Sequence, residues 1–195
     1  MSSQLSKQAS YEATFAHNFR KQTLSRVPVI PSSTSLPGRT VIVAGANAGL
    51  GFEAVRNFLK LRPKLIIMAV RSLKKGEVAA ATLRSEFPDD QIEVWELDME
   101  SFRSVQDFAA RTERELDRFD VAVLNAGLAK LEFQRVEGGS MHEVTIQVNY
   151  LATALLSILL LSKLKPTNTS PEPGRLSIVN SGASLGLSLE DPGDE

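Results

Sequence analysis

The run Val41-Ile42-Val43-Ala44-Gly45-Ala46-Asn47-Ala48-Gly49-Leu50-Gly51 constrains this chain more than any other stretch. Its apolar opening reads as a strand buried on both faces. Glycines then recur as G-x3-G-x-G, after which Leu50, Ala54, Val55, Phe58 and Leu59 keep helical spacing. A strand that turns through glycine into a helix presents bare backbone N–H groups and the positive end of a helix dipole, which suits a phosphate. A side chain at Gly45, Gly49 or Gly51 would block the tight turn or hold a pyrophosphate away.

The rest of the chain repeats the alternation. The sequence predicts strands over 39–44, 65–70, 92–97, 121–124 and 176–180. Between them lie a helix over 74–87 ended by Pro88, a helix carrying Phe102, Val105, Phe108, Ala109 and Leu116 with Ser101 placed to cap it, and a long helix over 141–164. Strands separated by helices of this length need parallel crossovers. The expected fold is therefore α/β, a doubly wound parallel sheet of five strands. Residues 1–38 read as an N-terminal extension, 39–185 as one nucleotide-binding domain and 186–195 as an acidic tail. With 43% apolar residues, 195 residues can bury one good core.

Bulk properties exclude several other classes. A net charge of −1 lacks the basic face that nucleic acid requires. With no cysteine, and His17 and His142 in unrelated segments, neither disulfides nor an ordinary metal site is expected. The apolar run 151–161 is interrupted by Thr153 and Ser157 and is shorter than the ~20 residues a bilayer needs, so no membrane span is expected. The N-terminal segment has no apolar stretch like a signal peptide, and the expected location is cytoplasmic.

Five features fall in one order: the glycine loop, Asp98 after the third strand, Asn125-Ala126-Gly127 after the fourth, Asn149 in the long helix and Ser181 after the fifth strand. Together they resemble the short-chain dehydrogenase/reductase family, with its Rossmann-type domain. Phe15-Ala16-His17-Asn18-Phe19, Arg71-Ser72-Leu73-Lys74-Lys75-Gly76-Glu77 and Glu96-Leu97-Asp98 are similar to fungal members of the retinol-dehydrogenase-like type. The resemblance implies carbonyl reduction or alcohol oxidation with NADP(H) on a small substrate, in secondary metabolism. Gly45, Gly49 and Gly51 would then face the pyrophosphate, with Leu50 at the cofactor's edge. Arg71 stands where an acidic residue would clasp the ribose 2′-OH of NAD; a guanidinium there suits the 2′-phosphate of NADP, or is a surface arginine. Asp98 can accept from the adenine amino group or cap a helix. Asn125 and Gly127 would pack against the adenine ribose, although turn chemistry also favours both residue types. Ser181 would hydrogen-bond a substrate carbonyl oxygen as charge builds on it, with Ser184 a less well aligned competitor. By the same resemblance, Asn149 would hold a water for proton relay.

The resemblance also implies a tyrosine followed four residues later by lysine. Tyr11 is followed at that distance by Phe15 and Tyr150 by Ala154, and the sequence runs only to Glu195. The expectation is a chain truncated before that pair, with strand five an exposed edge. The alternative is a non-catalytic NADP-binding protein that dimerises through the helix over 141–164.

Overall fold

The computed structural model describes Leu24 and residues 29–137, 141–166 and 172–181. Ser33–Val179 form one compact unit; the terminal segments Met1–Ser32 and Asn180–Glu195 fall into another. Within the larger unit the elements run β1 (Thr40–Ala44), α1 (Gly49–Leu59), β2 (Leu65–Val70), α2 (Leu73–Glu86), β3 (Ile92–Glu96), α3 (Phe102–Glu115), β4 (Val121–Leu124), α4 (Val144–Leu164) and β5 (Arg175–Ile178). The strands form one parallel sheet in the order β3-β2-β1-β4-β5. The doubly wound parallel sheet expected from the sequence is thus present, with element ends displaced by a few residues.

Side-chain alternation along β1 explains the two layers. Val41 and Val43 point to one face, where Val55 and Leu59 of α1 and Ala80 and Leu83 of α2 cover them. Ile42 and Ala44 point to the other, beneath Phe108 of α3 and Leu156 and Leu160 of α4. A strand covered on both faces has no polar side, hence the unbroken apolar run. β5 differs: three of its four residues are exposed, and it forms the edge of the sheet among the described residues.

The α4 helix carries its buried apolar residues at a strict interval of four: Val144, Val148, Ala152, Leu156, Leu160 and Leu164. On an ideal α-helix such a stripe drifts about 40° per step. A π-helical turn over Gln147–Ala152 is wider and reverses that drift, which keeps the stripe on the sheet. Thr153 Oγ1 donates to Val148 O at 3.0 Å, serving a carbonyl within the widened turn. By length and composition alone, this 21-residue helix is apolar enough to cross a membrane, as a helix covering the core of a sheet can also be. Here its buried stripe packs on the sheet. Lys163 Nζ also donates to Glu113 O and Leu116 O at 2.9 and 2.8 Å, tying α4 to the C-terminal end of α3.

The N-terminal ends of β1 and β4 are clamped by one carboxylate. Asp120 accepts from the Thr40 N–H at 2.9 Å, from Arg39 at 2.8 Å and from Arg118 at 2.9 Å. The opposite ends of the strands stay open, and that is where the polar residues singled out from the sequence gather.

Candidate functional site

A cleft of about 330 Å³ lies across the C-terminal ends of the first four strands. Gly45 follows β1, Arg71 follows β2, Leu97 and Asp98 follow β3, and Asn125 follows β4; all of them line it. Strand order reverses between β1 and β4, and in open α/β sheets ligands bind at that reversal.

The loop after β1 reaches the cleft through Gly45, Asn47 and Ala48, whereas Gly49, Leu50 and Gly51 are not part of its lining. Gly45 has φ +71°, and a Cβ there would lie 2.8 Å from Ala126 Cα. At Gly51 a Cβ would run into Gly45 O, with Asn125 Nδ2 at 2.6 Å. Gly49 takes φ +57° in open space. The turn can therefore fold this tightly only without side chains at Gly45 and Gly51. Asn125 Nδ2 donates to Gly45 O at 3.3 Å, which braces the loop after β1 against the loop after β4.

The helix that follows is left open to an anion. Ser72, Ser101 and Glu143 cap α2, α3 and α4 through their side chains, and Ser101 does so as its sequence position predicts. α1 begins at Ala48 with no side-chain cap and no acidic residue in its first turn. Ala48 lines the cleft, so the positive end of the α1 dipole lies beside it with no acidic residue in the first turn.

The other candidates divide by environment. Asp98 Oδ1 accepts from the Glu100 N–H at 3.0 Å, and its own N–H donates to Ser104 Oγ at 2.9 Å, so it shapes the turn into α3 while lining the cleft. Gly127 also lines the cleft. Leu50 is 77% exposed at the start of α1. The Asn149 amide is engaged at both ends: Oδ1 accepts from the Leu128 N–H at 2.9 Å and Nδ2 donates to Leu128 O at 2.7 Å. It pins the loop after β4 to the π-helical turn of α4. Ser181 is exposed three residues past β5 in the sequence, and its backbone N–H donates to Asn180 Oδ1 at 2.8 Å. It belongs to the terminal unit, and Ser184 lies outside the described residues.

Sequence reasoning missed Glu100. Its carboxylate pairs with the Arg71 guanidinium, and both residues line the cleft. Nothing in its type or spacing separates it from a surface glutamate. Val148 also lines the cleft, from a position that reads in sequence as ordinary core.

A parallel sheet of order 3-2-1-4-5, a glycine cradle at its reversal point and an uncapped helix behind it define a dinucleotide-binding α/β domain. The family model for short chain dehydrogenase matches residues 39–188. The chain is 47% identical over 167 residues to the short chain dehydrogenase/reductase mfmJ of Annulohypoxylon moriforme, covering 86% of this chain and 48% of that protein. It is 51% identical over 165 residues to the short chain dehydrogenase virL of Hypocrea virens, covering 85% and 48%. Among solved structures, a short chain dehydrogenase of Shigella flexneri complexed with NADP aligns at a TM-score of 0.59 and 25% identity, over 73% of this chain and 59% of that one. One from Escherichia coli complexed with NADPH aligns at 0.61 and 25%, over 76% and 60%. This chain belongs to the short-chain dehydrogenase family. It spans about half the length of the curated relatives it matches.

Proposed function

We propose that this chain binds NADP(H) and forms the cofactor-holding half of an oxidoreductase that interconverts a small carbonyl compound and its alcohol. The observation that carries the reading is the glycine cradle opening onto the uncapped N-terminus of α1, with Arg71 on the same cleft. The fit is chemical as well as steric. The loop over Gly45, Gly49 and Gly51, with Leu50 at its edge, takes the pyrophosphate on backbone N–H groups. Arg71 meets the 2′-phosphate with a planar, permanently charged fork. Asp98 offers an acceptor to the adenine amino group, and Asn125 and Gly127 shape the wall beside the ribose. When bound, the nicotinamide supplies or takes up a hydride. Ser181 is assigned to the substrate oxygen, where a hydroxyl donor stabilises growing negative charge. Asn149 is a positioning residue that holds the loop after β4 through Leu128. The fungal origin of the relatives supports a place in secondary metabolism.

Calorimetric titration with NADP+ and NAD+ tests this. The expected result is a preference for NADP+ that Arg71→Ala lowers by roughly tenfold, the worth of one charge-assisted phosphate contact. Undiminished NADP+ affinity in that variant refutes the assignment. A second reading is cofactor binding without turnover. It extends to self-association through α4, whose Ile146, Tyr150, Ile158 and Leu161 are exposed. Carbonyl-dependent NADPH oxidation by the purified chain rules it out.

A further inference from the structure

The cleft holds a competitor for its own cofactor. Arg71 Nη1 donates to Glu100 Oε1, and Arg71 Nη2 and Nε engage no other group among the described residues. The Arg71 side chain is 64% exposed and that of Glu100 is 28% exposed, so the carboxylate is the better anchored partner. Its anchor is the turn at the end of β3. Asp98 Oδ1 holds the Glu100 N–H, Asp98 O accepts from the Ser101 N–H at 3.1 Å, and Ser101 then caps α3. Glu100 thus sits on a fixed turn, while Arg71 reaches to it across the cleft rim.

Charge on that rim is unfavourable to a phosphate. Arg71 is accompanied in the cleft lining by two carboxylates, Asp98 and Glu100. An incoming 2′-phosphate must draw Arg71 from Glu100 and then lie near a carboxylate of like charge. An exposed ion pair is weak in water, so the phosphate, with two charges and a bidentate fit to guanidinium, can displace it. A cofactor without the phosphate has no such exchange to make.

We propose that Glu100 sets the cofactor selectivity of this cleft by competing with the 2′-phosphate for Arg71. The inference rests on the NADP(H) reading above. It assigns to Glu100 a restraint on selectivity: the chain is less strict for NADP(H) than Arg71 alone would make it.

The test is a double-mutant cycle on the full chain, Glu100→Gln and Arg71→Ala singly and together, titrated with NADP+ and NAD+. Glu100→Gln keeps the shape and removes the charge. It should tighten NADP+ by about fivefold or more, leave NAD+ unchanged or slightly weaker, and lose most of that gain in the Arg71→Ala background. The gain should also shrink at high salt, because the groups are exposed. NADP+ affinity that is unchanged or reduced in Glu100→Gln, while Arg71→Ala still weakens it, overturns the competition and leaves the cofactor reading standing. A gain that persists in full without Arg71 overturns it also, since general repulsion then explains the effect. NADP+ binding indifferent to Arg71→Ala overturns the cofactor reading and this inference together. Far-ultraviolet dichroism establishes that each variant is folded.

Discussion

Replacing Gly51 by alanine sets two physical effects against each other. Gly51 is the third residue of α1, and in a free helix the change would stabilise by about 1 kcal/mol through helix propensity alone. In this fold the new methyl would run into Gly45 O and approach Asn125 Nδ2 to 2.6 Å. The first of these neighbours is backbone, so relief requires α1 to move off the loop after β1. Overpacking of that kind costs about 1–3 kcal/mol. The strained Asn125–Gly45 hydrogen bond is worth about 1 kcal/mol more. Net destabilisation should be near 2 kcal/mol, opposite in sign to propensity. With a urea slope of about 2 kcal/mol/M, the midpoint should fall by about 1 M. Trp95, the one tryptophan and only 1% exposed, reports the transition by fluorescence. On the proposed function, NADP+ affinity of the folded variant should fall as well, because the helix assigned to the pyrophosphate is displaced. Gly49→Ala is the matched control. It meets open space and only the left-handed φ of +57°, for a cost of about 1 kcal/mol. A Gly51→Ala protein with a raised midpoint and unchanged NADP+ affinity would refute the close-packed cradle.

Two further predictions concern parts of the fold away from the cleft. Asp120→Ala leaves Arg39 and the nearly buried Arg118 without their shared carboxylate and frees the Thr40 N–H, so it should destabilise by about 3 kcal/mol in urea. NADP+ affinity of the folded protein should not change, since this cluster sits at the other end of the strands; a parallel loss of affinity would contradict that separation. Glu143, which caps α4, is held below the ordinary carboxylate range by the backbone N–H groups of Thr145 and Ile146. Its contribution is therefore complete above the unfolded carboxylate's titration and lost as pH falls through the depressed folded value. Urea midpoints of wild type and Glu143→Gln, measured from about pH 7 to pH 3, should converge at the acid end. A constant difference across that range would exclude the carboxylate as its source.

What the sequence made legible was everything that depends on the local chain. The unbroken apolar run before Gly45 requires burial on both faces, and the structure provides it with α1 and α2 on one side and α3 and α4 on the other. Arg71 is placed by its position at the end of the second strand, and Asp98 and Asn125 by the order of motifs that resembles the family; all three line the cleft. What depends on a distant partner was not legible. Glu100 matters through a side chain 29 residues earlier in the chain, and no spacing rule encodes that pairing. For the same reason Asn149 read as a lone polar residue on an apolar helix, whereas its amide satisfies both polar groups of the Leu128 backbone.

The π-helical turn in α4 joins these two kinds of information. Its wider winding keeps Val148 and Ala152 on the buried stripe while turning the intervening Asn149 toward the loop after β4. A regular helix that kept the same stripe would carry its later members off the sheet, and one that kept the sheet contact would rotate Asn149 relative to Leu128. Core packing and the wall of the cleft are therefore set by one local irregularity. Val148 makes the link concrete, since it is buried in the core and lines the cleft as well. The sheet thus reaches the site twice, through the ends of its strands and through the helix laid across its face.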